Sequence, residues 1–141
     1  MSRREILLVE DNQADALLLQ EALRLAEVHE PVHVVRDGES ALEHLRVVTP
    51  LPKLVLLDLN LPRKDGREVL AEIRADPALH ELPIIILTTS SSPPDVQFAY
   101  ESGANAYIRK PLGLDELVDA AESIRDFWLR TATLPSDAGS A

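Results

Sequence analysis

The chain has 141 residues, 45% apolar and 27% charged, which suits one globular domain with a sizeable core and is too short for two. No run approaches the about 18 apolar residues of a membrane span. The 24 acidic residues against 14 basic give a net charge of -10, the wrong sign for a nucleic-acid binder, so proteins or a small cation are the expected partners.

The first apolar run, Ile6 to Val9, reads as a strand and stops at Glu10-Asp11. Asn12 can cap a helix through about Val28, in which Ala14, Leu17, Leu18, Ala22 and Leu25 recur at helical spacing. Pro31 ends it, and Val32 to Val35 makes a second strand. Asp37-Gly38 turns into a shorter helix through about Val48, with Ala41, Leu42 and Leu45 on one face. The run Leu54 to Leu57, flanked by Pro52 and Pro62, reads as a buried parallel strand ending on Asp58. A loop from Pro62 to Gly66 leads to a helix ending near Ala75. Pro83 enters a fourth strand that stops at Thr88, and Pro93-Pro94 suit the start of a helix that ends at Ser102-Gly103. A short strand around Tyr107-Ile108 stops at Lys110-Pro111, and a last helix spans about 114–130. The expected division is a domain over 1–130 and a small, polar tail over 131–141.

This strand–helix alternation predicts an α/β fold with a parallel sheet, whose carboxyl strand ends lie along one edge. The fold would then gather an acidic pair (Glu10, Asp11), an isolated Asp58, a hydroxyl (Thr88) and an ammonium (Lys110) in one pocket. A carboxylate can attack a phosphoryl group, and three acids in one place call for a divalent counter-ion such as Mg2+. His29, His33, His44 and His80 show no metal-ligand spacing and read as surface or partly buried side chains. The absence of cysteine excludes disulfides, and the first residues lack a signal peptide's apolar segment, so the expected compartment is the cytoplasm. A haloacid-dehalogenase-type phosphatase would need a second Asp where Asn60 stands, and the turn after the first strand has no phosphate-binding glycines.

The acidic pair, the Asp58-Leu-Asn-Leu-Pro-Arg-Lys-Asp-Gly66 segment, Thr88, and Gly103-Ala-Asn-Ala-Tyr-Ile-Arg-Lys-Pro111 together resemble the receiver domain of two-component response regulators. The segment from Asp65 to Ile73 and the Phe127-Trp-Leu-Arg-Thr-Ala-Thr-Leu-Pro135 ending are most similar to the small regulators that partner phytochromes. The resemblance implies a flavodoxin-like, doubly wound (βα)5 fold with strand order 2-1-3-4-5. It implies a non-enzymatic switch, with Asp58 as phosphoacceptor for a sensor histidine kinase, here a bacteriophytochrome. Asp11, Asp58 and the Asn60 backbone carbonyl would bind Mg2+ directly, and Glu10 through water. Thr88 and Tyr107 would form the switch. A second reading is a phosphorelay intermediate serving a histidine phosphotransfer protein. The resemblance also implies a cis Lys110-Pro111 bond, although X-Pro bonds are cis only about 5–6% of the time. Thr89 stands where smaller residues are usual in the family, and its bulk beside Asp58 is expected to hinder small phosphodonors. No DNA-binding segment follows the last helix, so output is expected through protein contacts. Phe127 lies about 100° around the helix from Trp128, beside the stripe of Leu114, Leu117, Ala121 and Ile124. Phe127 can pack under the tail of its own chain; the resemblance to the phytochrome-associated regulators implies instead that Phe127, Leu129, Leu134 and Pro135 engage a second subunit in a homodimer.

Overall fold

The computed structural model describes residues 4–135. Five strands, β1 (Ile6–Val9), β2 (Val32–Val35), β3 (Leu54–Leu57), β4 (Ile84–Thr88) and β5 (Ala106–Arg109), form one parallel sheet in the order β2-β1-β3-β4-β5. Five helices connect and follow them: α1 (Gln13–Leu25), α2 (Gly38–Val47), α3 (Gly66–Ala75), α4 (Pro93–Glu101) and α5 (Leu114–Ile124). This is the doubly wound, flavodoxin-like arrangement expected. None of the described helices is long and apolar enough to cross a membrane.

The central strands are buried on both faces, which is why their sequences are Leu, Ile and Val up to Thr88 at the end of β4. Strand residues alternate between faces, so Leu7, Val9, Val55, Leu57, Ile84 and Ile86 meet α2, α3 and α4. Ile6, Leu8, Leu54, Leu56, Ile85 and Leu87 meet α1 and α5 on the other side. Burying each large aliphatic side chain contributes about 1.5–3 kcal/mol, so the two faces supply most of the favourable term.

Expectations about two helices need correction. In α1 the buried residues are Ala16, Leu19, Ala22 and Leu23, whereas Leu17 and Leu25 are exposed. The helix is apolar on more than one side, so spacing alone does not select the row that packs. It also stops at Leu25, not near Val28, as Ala26 caps it and Glu27 takes a positive φ of 62°. The last helix is α-helical only to Ile124 and continues as a wider π-type turn over Arg125–Thr131, with the Ala132 N–H donating to the Phe127 carbonyl (2.7 Å). The expected core stripe holds: Leu117, Ala121 and Ile124 are buried, and Leu114 and Trp128 pack half-buried against them.

Side-chain caps begin four of the five helices, through Asn12, Asp37, Asp65 and Ser92. Asp37 accepts from the Ser40 backbone N–H (2.8 Å) and hydroxyl (2.9 Å). The backbone bond chiefly holds its carboxyl below the ordinary carboxylate range. A depressed folded pKa gives stability that is present above the unfolded value of about 3.9 and is lost as pH falls through the folded one. Asp37→Ala is therefore expected to cost about 1 kcal/mol at neutral pH. Urea unfolding should show that gap narrowing as pH falls below the unfolded value and through the folded one; an undiminished gap in acid would contradict the capping role.

Candidate functional site

The carboxyl ends of β1, β3, β4 and β5 carry Glu10, Asp58, Thr88 and Lys110. Parallel register sets them side by side: Val9 pairs Leu57, Leu57 pairs Ile86, and Thr88 pairs Arg109. Backbone bonds extend the ladder past the strands, from Asp58 N–H to the Val9 carbonyl (3.1 Å) and from Lys110 N–H to the Thr88 carbonyl (2.6 Å). Glu10 and Asp58 are buried, while Asp11 is exposed at the rim.

Carboxylate oxygens of Glu10, Asp11 and Asp58 lie within 4.8 Å of one another. Lys110 Nζ donates to Glu10 and lies 3.6 Å from Asp58 Oδ2 and 3.5 Å from Asp15 Oδ2. Burial pushes the Glu10 carboxyl up, against the opposing hydrogen bond from Lys110. Burial alone would push the Lys110 ammonium down; the bond to Glu10 and the charges of Asp58, Glu10 and Asp15 outweigh it and hold it up. The pocket thus has more negative charge than one lysine balances. Its all-oxygen donor set suits a hard divalent cation.

Thr88 is 0% exposed, and its Oγ1 has no hydrogen-bond partner among the described residues. An orphaned buried hydroxyl costs about 1–3 kcal/mol, so a partner from outside is the physical reading. Asp58 Oδ1 accepts from the Asn60 backbone N–H (3.2 Å), and Glu10 Oε2 accepts from that of Asn12 (3.2 Å).

Beside the pocket, the half-buried Tyr107 donates its hydroxyl to the Ser90 carbonyl (2.8 Å). Ser90 Oγ donates to Asp95 (2.6 Å), which also accepts from Arg67 Nη2 (2.8 Å). This chain links α3, the β4–α4 loop and β5. Thr89 is exposed and lines a cavity of about 140 Å3 with Glu10, Asp15 and Lys110.

The Lys110-Pro111 bond is trans, a correction; among the described residues the cis bond is Thr49-Pro50. The lysine side chain is long enough to reach Glu10 and Asp58 from a trans bond. Two contributors escaped the sequence reading. Asp15 meets Lys110 from the first turn of α1. A Cβ at Gly66 would stand 2.1 Å from the Asp58 carbonyl oxygen, so only glycine lets α3 start against that strand end. The Asp65-Gly66 pair was the available signal.

At the far end of the chain, Phe127 is 53% exposed and packs edge-on to Trp128 at 5.2 Å. Leu129 is half-buried against the α1–α5 face, and Pro135 lines a groove with Arg4 and Leu51. Leu134, expected at a dimer contact, is only 3% exposed within the single chain, because the tail folds back and buries it without a second subunit. Residues 136–141 of the expected tail lie outside the described residues.

Comparison with known proteins agrees with this architecture. The chain is 45% identical over 136 residues to response regulator Rcp1 of Synechocystis, covering 93% of this chain and 92% of that protein. It superposes with a TM-score of 0.88 on the crystal structure of the phosphorylated cyanobacterial phytochrome response regulator RcpA, at 47% identity, covering 95% of this chain and 99% of the other. For the Mn2+-bound form of Rcp1 the TM-score is 0.85 at 44% identity, with 94% and 99% covered. The response regulator receiver domain matches residues 6–122, a span that takes in all five strands and every pocket residue from Glu10 to Lys110, and the chain belongs to that family.

Proposed function

We propose that this receiver works as a single-domain response regulator, phosphorylated on Asp58 by a sensor histidine kinase and read out through protein contacts. The observation that carries this is the convergence of three carboxylates within 4.8 Å beside a lysine ammonium 3.6 Å from Asp58. Asp58 supplies the nucleophile: its carboxylate oxygen forms the new P–O bond as the phosphohistidine N–P bond breaks, with the electron pair leaving on the imidazole nitrogen. Glu10, Asp11, Asp58 and the Asn60 carbonyl would hold Mg2+, Glu10 doing so through water. A bound Mg2+ offsets phosphoryl charge. Lys110 offers positive charge from within the same pocket, and Thr88 offers its unpartnered hydroxyl to a phosphoryl oxygen.

The similarity to RcpA supports a phytochrome as the kinase, and membership of the receiver family supports the cytoplasm as the compartment. Transfer from phosphorylated bacteriophytochrome, in Mg2+ and in EDTA, tests the reading: rapid Mg2+-dependent transfer is expected, and equal transfer in EDTA would refute the metal's part. If phosphate instead passes onward from Asp58 to a histidine phosphotransfer protein faster than it hydrolyses, the relay reading prevails.

A phosphoryl oxygen that recruits Thr88 would leave Tyr107 room to repack, shifting the α4–β5–α5 face between two arrangements. Thr88→Val keeps the shape and removes the orphaned hydroxyl. It is expected to leave the unphosphorylated protein as stable or about 1 kcal/mol more so. NMR shifts at Tyr107 and α4 on adding beryllofluoride should shrink in the variant; undiminished shifts would remove Thr88 from the switch.

The exposed Phe127 supports a homodimer across the π-type turn, of a kind that would match a dimeric kinase. Phe127→Ser is expected to convert a dimer to a monomer at tens of micromolar in sedimentation, with the fold intact. A dimer indifferent to this change would move the interface elsewhere.

A further inference from the structure

At the opposite end of β1 from the acidic pocket, three side chains of metal-ligating type meet, from the residue before β1, from β2 and from α2. Strand alternation turns Glu5 to the same face as Leu7, and Leu7 pairs with His33 of the edge strand β2. Over that face lies α2, whose buried Ala41, Leu42 and Leu45 set its rotation so that His44, in the last turn, comes down beside the strands. His44 Nε2 lies 2.6 Å from Glu5 Oε2, and the His33 and His44 rings stack with centroids 4.0 Å apart and planes within 5°. One ligand atom from each of the three lies within 4.8 Å of the others. His33 is exposed and His44 partly buried, as expected of them singly, and the fold brings the two together with Glu5. No sequence spacing could show the cluster, since its members are separated by 28 and 11 residues and only the fold joins them.

We propose that Glu5, His33 and His44 form a second cation site, selective for Zn2+. Two imidazoles and a carboxylate make an N2O donor set, which suits Zn2+ and is a poor match for Mg2+, whereas the pocket at Asp58 offers oxygen alone. Glu5 and His44 side chains are 19% and 17% exposed, so two donors are held by packing. His33 is exposed, and its ring can tilt out of the stack to share a ligand with His44 while solvent takes the remaining position. The hydrogen bond between His44 and Glu5 is what the ion would replace, with Zn2+ between the two groups. The residues Glu5 and Glu10 stand about 16 Å apart along the extended chain, by the strand rise, so the two cation sites are independent. Occupancy would tie α2 to the edge strand.

The test uses untagged full-length protein with excess Mg2+ and a Zn2+ titration against a chromophoric chelator. A single equivalent of Zn2+ is expected to bind. His33→Gln and His44→Gln should each weaken it by at least about tenfold, the lower end of what even outer-shell partners contribute. Asp11→Asn should leave it unchanged. Backbone amide shifts on adding Zn2+ should centre on residues 5, 33 and 44. No bound equivalent, equal affinity in His33→Gln, or loss of Zn2+ in Asp11→Asn would each overturn the proposal. Because His33 is exposed, that variant remains informative even if His44→Gln is poorly folded.

Discussion

Replacing Asp58 by Asn is expected to abolish phosphoryl labelling by a cognate kinase. The amide cannot form the acyl phosphate, and the pocket's other buried carboxylate, Glu10, is already tied to Lys110 and to the Asn12 N–H. Labelling should fall by more than about a hundredfold, equal to about 2.7 kcal/mol of barrier. The fold should persist. Asn keeps an oxygen for the Asn60 N–H and removes one of the charges crowding Glu10, whose carboxyl is raised first by burial and in smaller part by Asp58. Circular dichroism that matches the wild type, together with lost labelling, is the expected pair of results; labelling at the wild-type level would place the acceptor elsewhere.

Gly66→Ala is expected to have the largest effect on stability among the substitutions considered. The added methyl would meet the Asp58 carbonyl oxygen at 2.1 Å and Leu59 Cα at 2.7 Å, both backbone atoms that no rotamer change can move. Either α3 withdraws from the sheet or the end of β3 shifts, and with it Asp58 and Asn60. Overpacking of this kind costs about 3 kcal/mol, at the upper end of its usual range. For a chain of this length that corresponds to a fall in Tm of about 10 °C. Phosphotransfer should weaken too, because the displaced atoms belong to the pocket. Gly113→Ala is the control: its Cβ would meet nothing within 4 Å, and a change below about 1 kcal/mol is expected. Equal losses in the two variants would show that the contact at Gly66 is not the cause.

The strand ends were legible before any coordinates because each apolar run stops on a polar residue and four of the five helices carry their own side-chain cap. Thr88 shows the limit of that legibility. Its position at the end of β4 follows from the sequence, but its orphaned hydroxyl follows only from burial on every side. Leu17 and Leu19 illustrate a different loss. Both fit a helical stripe, yet Leu17 is 59% exposed and Leu19 is 4% exposed, since the rotation of α1 is set by the sheet and α5 and not by its own periodicity.

By itself, then, the sequence determined the order of five strands and five helices along the chain, the helix starts, and the acid, hydroxyl and ammonium at the strand ends. These are local properties, written in residue spacing, apolar runs and capping chemistry. Only the tertiary structure decided that Lys110 bonds Glu10 as well as approaching Asp58, that Gly66 must lack a side chain, that Leu134 is buried by its own chain, and that Glu5, His33 and His44 meet. Those are contacts between residues remote in sequence. They depend on which strands lie adjacent and how each helix is rotated on the sheet, and packing of the whole core sets both.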